Sequence, residues 1–307
     1  MQVCLLIAVS EAIEESNYLR LGNELLRRGF NVTCCFMDSL GMTGSQITTN
    51  GFAVDRTLID GQPFPESKLV SLAEFDAVWT LTLGMRHSFL DKMQLLKCLE
   101  QDCRLINSVD ALIHLKSKYF LANWQDVFQY PKTYSSTDPL HLENVIRDEG
   151  GQWIAKPPAG SLGRDIFLLS AEDPNLRVIL ETMTGPESDQ YCLLQPYVEE
   201  IVQGEKRVLL AGGKPVGQYL RHASGDHRTN VSSGAKTELC ELTPEEHRYC
   251  EQIGDFLVEQ GAEFVGLDLA FPWVIEFNVV NPGGIHTILD LGGDDLSEKI
   301  ISWIFQI

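Results

Sequence analysis

The chain has 307 residues, of which 44% are hydrophobic and 22% are charged, a composition typical of a folded globular protein rather than a disordered one. At roughly 100–200 residues per domain, this length predicts two domains or one large domain with internal lobes. Lysine and arginine number 24 against 43 aspartate and glutamate residues, and the net charge of −19 argues against general binding of nucleic acid or an anionic membrane.

The first third of the chain alternates between strand and helix patterns. The apolar run at 3–9 has no basic residues before it, so we interpret it as a buried strand rather than a signal peptide. A helix at 17–28 and a helical pattern ending near 100 separate the further predicted strands at 31–37, 76–83 and 104–107. This alternation predicts a parallel sheet covered by helices, although no GxGxxG sequence follows the first strand.

Other stretches are interpreted by composition. The polar, glycine-rich stretch 40–65 is interpreted as a loop or an irregular insertion. No apolar stretch reaches 18 residues, so no membrane-spanning helix is predicted. The eight cysteines form no CxxC pair, and we expect reduced thiols in or near the core.

From about residue 129 the pattern changes to strands in antiparallel hairpins. The turn signals are Gly150-Gly151, Gly212-Gly213 and Pro272, and helices are predicted near 140–148 and 244–260. This arrangement predicts an α+β body, with a boundary between residues 110 and 128. The window 222–238 is the best candidate for a mobile loop.

Two apolar runs flank Pro272 and carry polar residues that suit a metal ion. In a hairpin symmetric about Pro272, Asp268 lies opposite Glu276, and Asn278 shares the face of Glu276 because side chains alternate along a strand. Opposed carboxylates repel unless a cation lies between them, and these oxygen ligands suit magnesium. The alternative is a solvent-facing polar strand surface, which the surrounding apolar residues disfavour.

A second pattern joins a lysine to a glycine-containing loop. A strand ends at Lys156, the loop carries Gly160 and Gly163, and a second strand resumes near residue 166. Glycines allow backbone N–H groups to approach phosphate oxygens, and the lysine adds positive charge. The GxxxxGK[ST] sequence of a Walker A loop is absent, and an ordinary hairpin loop is as good an interpretation.

Cations are concentrated at residues 201–236, which hold six lysines and arginines and two acids. Arg207 and Arg221 lie on the two arms of a hairpin turning at Gly212-Gly213, so they can converge near one end. Arginine side chains suit carboxylates and phosphates. A solvated basic edge is the alternative, and whether the two arginines share a face depends on a strand register that the sequence leaves open.

Taken together in order and spacing, these motifs resemble the ATP-grasp ligases, and in particular the bacterial glutathione synthetases. The resemblance extends from about residue 104 to 291 and is weak before that. The matching stretches include LKSKYF around Lys118, AKPPAGSLGRDIF around Lys156, QPYV from Gln195, GEKRVLL around Arg207, RTN from Arg228, and FVGLD through EFNV from residue 264 to 279.

The resemblance implies a role for each matching residue. Lys118 and Lys156 would hold ATP phosphates under a lid that includes Gly160, Ser161 and Gly163. Gln195, Tyr197 and Val198 would line the adenine, and Glu205 would take the ribose hydroxyls. Asp268, Glu276 and Asn278 would bind two magnesium ions, with manganese as an alternative. Arg207, Arg221 and Asn230 would orient the substrate carboxylate and its phosphorylated form, with Arg207 and Arg221 also assigned as catalytic. The other residues implied to bind substrate are Arg228, Asn281 and Gly283.

The implied fold combines α/β and α+β parts. An N-terminal parallel-sheet domain of the pre-ATP-grasp type at 1–115 precedes an ATP-grasp domain at 116–307. Within the latter, a lid lobe at about 125–197 and a C-terminal lobe at about 198–307 would clamp ATP. The implied partners are small amino-acid or peptide substrates in the cytoplasm, without nucleic acid or membrane, and self-association is left open.

The implied activity is an ATP- and magnesium-dependent ligation of a carboxylate to an amine through an acyl phosphate. The first expectation for the substrates is γ-glutamylcysteine with glycine. Three features differ from the synthetases. Residues 83–91 only loosely resemble an Arg-x-Asp-Pro-Pro segment, residues 279–284 have the sequence VVNPGG, and the lid is less rich in glycine, with Leu162 and Arg164. An ATP-grasp ligase with another amino-acid or peptide acceptor is therefore a second hypothesis, and an inactive nucleotide-binding regulator a third.

Overall fold

The computed structural model describes residues 1–158, 165–223 and 235–307. The first part of the chain builds a sheet with helices against it. Its elements are β1 (Gln2–Ile7), α1 (Asn17–Arg27), β2 (Asn31–Phe36), β3 (Gly41–Thr43), β4 (Gln46–Val54), β5 (Lys68–Ser71), β6 (Ala77–Thr80), α2 (Phe89–Leu99), β7 (Arg104–Ile106) and α3 (Val109–His114).

The parallel sheet predicted for the first third is confirmed. The strand order is β3-β4-β2-β1-β6-β7, and β1, β2, β6 and β7 run parallel. The apolar run of β1 is buried from its second residue onward, as expected for a central strand covered on both faces.

The prediction of a loop or irregular insertion at 40–65 is wrong, because β3 and β4 lie within it. β4 pairs antiparallel with β2, β3 and β5. Its polar residues resemble a loop in the sequence, but Thr49 is buried and donates a hydrogen bond to the Phe36 carbonyl. Gly51 lies where a Cβ would be 2.4 Å from the Cys35 sulfur, so close strand packing requires this glycine.

A four-stranded antiparallel sheet follows. Its elements are α4 (Lys118–Leu121), β8 (Tyr134–Ser136), α5 (Pro139–Glu149), β9 (Gln152–Lys156), β10 (Phe167–Ser170), α6 (Leu176–Thr184) and β11 (Cys192–Pro196). The strand order is β10-β9-β11-β8, with helices α5 and α6 packed on the sheet. The prediction of a hairpin turn at Gly150-Gly151 is wrong. Gly150 ends α5 with a φ of 66°, a conformation that glycine supplies to helix ends as readily as to turns.

The last part of the chain forms a five-stranded antiparallel sheet. Its elements are β12 (Glu205–Ala211), β13 (Lys214–His222), β14 (Lys236–Leu239), α7 (Pro244–Glu259), β15 (Phe264–Ala270), β16 (Trp273–Asn278), α8 (Ile285–Asp290) and α9 (Ser297–Phe305). The strand order is β14-β13-β12-β15-β16. The hairpin turn predicted at Gly212-Gly213 is confirmed, since Ala211 pairs with Lys214.

The predicted pairing of Asp268 with Glu276 is confirmed, but the hairpin at Pro272 reaches it by a different strand register than predicted. Ala270 pairs with Trp273 around a two-residue loop, so the hairpin is not symmetric about Pro272. A register shift between Asp268 and Leu269 then adds one residue to β16. This irregularity brings Asp268 opposite Glu276, as the sequence predicted.

The hydrophobic cores show how the sheets are joined. Two large clusters each combine buried residues of the N-terminal sheet with residues of the five-stranded sheet. The four-stranded sheet has a separate cluster formed with α5 and α6. The N-terminal and five-stranded sheets therefore share their packing, whereas the four-stranded sheet packs chiefly on its own helices.

Three further expectations concern the window 222–238, the cysteines and membrane-spanning helices. Most of the window 222–238 falls on residues 224–234, outside the described part of the chain, while its two ends belong to β13 and β14. All eight cysteines are described and free, and five of them are buried. None of the described helices is long and apolar enough to cross a membrane.

Candidate active site

One face of the five-stranded sheet carries the predicted metal ligands and both predicted catalytic arginines. Strand register places Arg207 of β12 between Tyr219 of β13 and Asp268 of β15, and Asp268 opposite Glu276 of β16. Because side chains two residues apart share a face, Asn278 and Arg221 lie on the same side. The register that the sequence left open therefore puts both arginines on the face of the acids.

Asp268 is the centre of this face. Arg207 contacts both carboxylate oxygens, Nε to Oδ1 at 2.5 Å and Nη2 to Oδ2 at 3.0 Å. Arg221 adds a contact from Nη2 to Oδ1 at 2.8 Å. Burial by itself would raise the pKa of Asp268, but the two arginines outweigh burial and lower its pKa to about 2. Asp268 is therefore ionised at neutral pH although it is buried.

Glu276 lies beside Asp268 and is less enclosed. Its Oε1 accepts a contact of 3.1 Å from Lys118 Nζ, which joins α4 to the five-stranded sheet. The Glu276 side chain is 32% exposed, whereas that of Lys118 is 6% exposed. The third predicted metal ligand, Asn278, donates from Nδ2 to Asp268 Oδ2 at 3.2 Å.

The donor set fits a magnesium ion held jointly with a phosphate ligand. Asp268, Glu276 and Asn278 supply two carboxylates and one amide, which are hard oxygen donors. Among the residues that the structure describes, no three His, Cys, Asp or Glu side chains group closely enough to hold a metal alone. Magnesium typically takes one or two carboxylates and completes its shell with water and phosphate oxygens, so this set suits a phosphate-bound ion.

Lys156 approaches from the four-stranded sheet, where it ends β9. It pairs in register with Leu193 of β11 and is buried. Burial and the neighbouring charge of Lys118 lower the pKa of Lys156 to about 8, while Glu276 and Glu205 oppose this shift. Two lysines from different elements therefore face the carboxylates, although they repel each other. This arrangement favours an anion between them.

The residues predicted to line a nucleotide lie at the end of β11 and the start of β12. Gln195 is buried and donates from Nε2 to Thr133 Oγ1 at 2.8 Å. Tyr197 donates its backbone N–H to the Gln152 carbonyl at 2.8 Å, and Val198 follows as a buried residue. Glu205 is buried and lies 3.1 Å from Arg221.

The segment 281–284 passes beside this face. Arg207 Nη1 donates to the Gly283 carbonyl at 2.9 Å, so the same arginine contacts both Asp268 and the segment. A Cβ at Gly266 would lie 2.8 Å from the Pro282 Cβ and 3.3 Å from the Arg207 side chain. Gly266 therefore leaves the space that Arg207 and Pro282 fill. Both Asn281 and Gly283 are exposed.

Some predicted site residues lie outside the described part of the chain. They are Gly160, Ser161, Gly163, Arg228 and Asn230. Their predicted roles in the lid and in substrate binding stay predictions.

Several neighbours of the site were missed by the sequence reasoning. Burial raises the pKa of Tyr130, which also interacts with Gln195 and Glu276 and lies 3.4 Å from the Lys118 carbonyl. Thr133 accepts the hydrogen bond of Gln195. Both lie in a short irregular stretch just before β8, the first strand of the four-stranded sheet. This position is the only signal in the sequence that could have drawn attention to them.

Two solved structures have the same fold over almost the whole chain. D-cycloserine synthetase DcsG gives a TM-score of 0.65 at 15% identity, covering 100% of this chain and 99% of that chain. The ATP-grasp ligase PsnB, complexed with a phosphomimetic variant of its minimal precursor, Mg and ADP, gives a TM-score of 0.65 at 15% identity and covers 99% and 97%. At this identity the likeness defines the class of fold, which is the ATP-grasp fold.

The family is narrower than the fold. Residues 117–293, more than half of the chain, match the family described as prokaryotic glutathione synthetase, ATP-grasp domain. The chain belongs to this family, which confirms the resemblance seen in the sequence motifs.

Curated relatives span different shares of the chain. The glutathione synthetase of Thermosynechococcus vestitus is 29% identical over 67% of this chain and 64% of that protein. The Coxiella burnetii glutathione synthetase is 34% identical over 57% and 54%. These two matches span less than two thirds of the relatives' own length. The Agrobacterium fabrum glutathione synthetase is 28% identical over 90% of this chain and 87% of that protein.

Proposed function

We propose that the protein is an ATP- and magnesium-dependent ligase that joins a carboxylic acid to an amine through an acyl phosphate. The observation that carries the proposal is that two buried lysines and two buried arginines converge on a pair of carboxylates, Asp268 and Glu276. Family membership and the Mg and ADP bound by PsnB support it. γ-Glutamylcysteine and glycine are the first expected pair of substrates.

In the proposed reaction, a carboxylate oxygen of the acid attacks the γ-phosphorus of ATP. The bond to the β,γ-bridging oxygen breaks, and ADP leaves with that electron pair. The amine then attacks the acyl carbon, loses a proton, and expels phosphate, which retains the oxygen that came from the acid. The protein contributes positioning and charge neutralisation rather than a covalent step.

The charged residues have distinct roles in this scheme. Lys118 and Lys156 would offset the charge of the ATP phosphates, and Arg207 and Arg221 would hold the acid and its phosphorylated form. Asp268, Glu276 and Asn278 would hold two magnesium ions, with manganese as a substitute. When bound, the metal would neutralise negative charge that develops on the phosphoryl oxygens.

We also propose how the chain is divided into domains. An N-terminal domain at 1–115 would precede an ATP-grasp domain at 116–307, in which the lobe at about 125–197 closes over ATP. The separate core of the four-stranded sheet supports such a lobe. Closure would keep water from the acyl phosphate, with the adenine beside Gln195, Tyr197 and Val198, and the ribose at Glu205. We place the protein in the cytoplasm and leave its self-association open.

A second candidate is an ATP-grasp ligase with another amino-acid or peptide acceptor. The segment 281–284 favours it, because Asn281 and Gly283 are exposed beside Arg207 in a stretch that departs from the usual synthetase sequence. An inactive nucleotide-binding regulator is the weakest candidate, since the acids and both lysines are all present.

The experiment is a coupled assay of ADP release with ATP and magnesium against a panel of acids, each with and without an amine. γ-Glutamylcysteine with glycine is the first pair. Turnover that needs this pair supports the glutathione-synthetase-like activity, and turnover that needs another pair supports the second candidate. ATP binding without release of ADP for any pair would contradict both ligase proposals.

A further inference from the structure

The first residue of α1 holds the segment 281–284 from the side of the N-terminal sheet. Asn17 is 9% exposed, and its Nδ2 donates to Asn281 Oδ1 at 2.7 Å and to the Pro282 carbonyl at 2.9 Å. Both N–H groups of one amide are therefore used on consecutive residues more than 260 positions away. This contact is unrelated to the nucleotide lysines, and no sequence motif pointed to it.

The segment is fastened on its other side by the charged face. Arg207 donates to the Gly283 carbonyl while it contacts Asp268. Pro282 packs into the space left by Gly266. Asn17 and Arg207 therefore fix the segment between α1 and the proposed metal ligands, with one hydrogen-bonding group on each side.

The contact also fixes the orientation of the Asn281 amide. The Pro282 carbonyl can only accept, so the Asn17 atom that faces it is the nitrogen, and Asn281 must then present its oxygen to Asn17. The Asn281 side chain is exposed, and its Nδ2 is the amide atom that does not contact Asn17. Within the described residues, no protein group accepts from it. Its two N–H groups suit a carboxylate or carbonyl oxygen of a ligand.

We propose that Asn17 is a positioning residue for the organic substrates: it turns the Asn281 amide nitrogen toward a substrate carboxylate or carbonyl. This inference rests on the proposed ligase function and deepens it. The ligand chemistry is that of an amino acid or peptide, and either the acid or the amine could supply the oxygen. We expect nucleotide binding to be independent of Asn17, because the residues proposed to hold ATP lie on or beside α4, β9, β11 and β12 and not on α1.

The test compares three variants of the full-length protein. Asn17→Ala removes both hydrogen bonds, and Asn17→Asp keeps the shape but replaces the donors with acceptors. The matched control is Asn23→Ala on the same helix, because Asn23 also makes two hydrogen bonds, to the Leu58 carbonyl at 3.0 Å and from the Leu58 N–H at 2.7 Å. Any effect of weakening α1 itself appears in all three variants.

The kinetic readout separates the substrates. Both Asn17 variants should raise the KM of the acid or of the amine by about tenfold, the size expected for losing one to two hydrogen bonds, with kcat and the KM of ATP nearly unchanged. The substrate whose KM changes is the one that supplies the oxygen. Asn23→Ala should leave every KM unchanged. Equal KM values in wild type and Asn17 variants, or an equal change in Asn23→Ala, would overturn the proposal.

Hydrogen exchange provides a readout that needs no activity. Asn17→Ala should speed amide exchange in 279–286, and Asn23→Ala should do so near residue 58 instead. If wild type ligates no acid and amine, the proposed function fails, while this measurement still decides whether Asn17 holds the segment. Unchanged exchange in 279–286 would remove the basis of the inference.

Discussion

The two sheets that supply the site differ in how they are anchored. The five-stranded sheet carries Asp268 and Glu276, and its buried residues merge with those of the N-terminal sheet into two shared clusters. The four-stranded sheet carries Lys156 and Gln195, and among the described residues its core is a separate cluster formed with α5 and α6. The site therefore joins an acidic and arginine-rich face, on a sheet with a shared core, to a lysine-bearing sheet with a core of its own. In the proposed reaction, the first would hold substrate and metal, and the second would close on ATP.

The largest expected effect lies on the anchored face. Glu276→Gln removes one proposed metal ligand without burying a new charge, and kcat should fall about 10³-fold, or about 4 kcal/mol in activation free energy. Steady-state ADP release measures it. The control is Glu246→Gln, since Glu246 also pairs with a lysine, Lys206, at 2.7 Å, but Lys206 lies on the opposite face of β12. Comparable rates in wild type and Glu276→Gln would exclude the metal assignment.

The next prediction separates the cores of the two sheets. Leu180→Ala, in the cluster of the four-stranded sheet, should cost about 2–5 kcal/mol and speed amide exchange mainly within 134–196. Leu267→Ala, in a shared cluster, should loosen both the five-stranded and the N-terminal sheets at similar cost. Hydrogen exchange read by mass spectrometry compares the two. Equal loosening of all three sheets by Leu180→Ala would mean that the four-stranded sheet is no separate unit.

Lys156, the lysine at the end of β9, should act on nucleotide binding. Lys156→Met should raise the KM of ATP roughly 30-fold, because a charge-assisted contact to phosphate contributes about 2 kcal/mol. Initial rates at varied ATP give this value. Lys132→Met, an exposed lysine paired with Glu149 near the same sheet, is the control and should leave the KM within twofold. A KM of ATP that is insensitive to Lys156 would contradict its assignment to the phosphates.

The smallest effect is a dependence on pH. Because burial and Lys118 lower the pKa of Lys156 to about 8, its neutral form should raise the KM of ATP by up to about tenfold between pH 7 and pH 9. Lys156→Arg should flatten this profile. In stability, the unfolded chain binds more protons than the folded one between about pH 8 and 10.5, so the free energy of unfolding attributable to Lys156 should rise with pH there. If the KM of ATP depends on pH in the same way in Lys156→Arg as in wild type, a group other than Lys156 titrates in this range.

The sequence predicted the site better than its surroundings. The acids could be placed because strand alternation determines which side chains of a hairpin share a face. The sequence left open whether Arg207 and Arg221 share that face, because this depends on the register between β12 and β13. β4 was missed because threonines and a glycine look like loop residues until their partners on β2 are known. The contact of Asn17 with Asn281 and Pro282 joins the two ends of the chain, and no local pattern encodes such a contact.

The central claim is tested most directly by the fate of the acid's oxygen. With the acid labelled by ¹⁸O in its reacting carboxylate, one turnover through an acyl phosphate must transfer one labelled oxygen to inorganic phosphate, which mass spectrometry detects. We expect one ¹⁸O in each phosphate released, and release that depends on the amine. Unlabelled phosphate would mean hydrolysis of ATP without activation of the acid, and label in AMP would mean an adenylate instead. Either result would contradict the account.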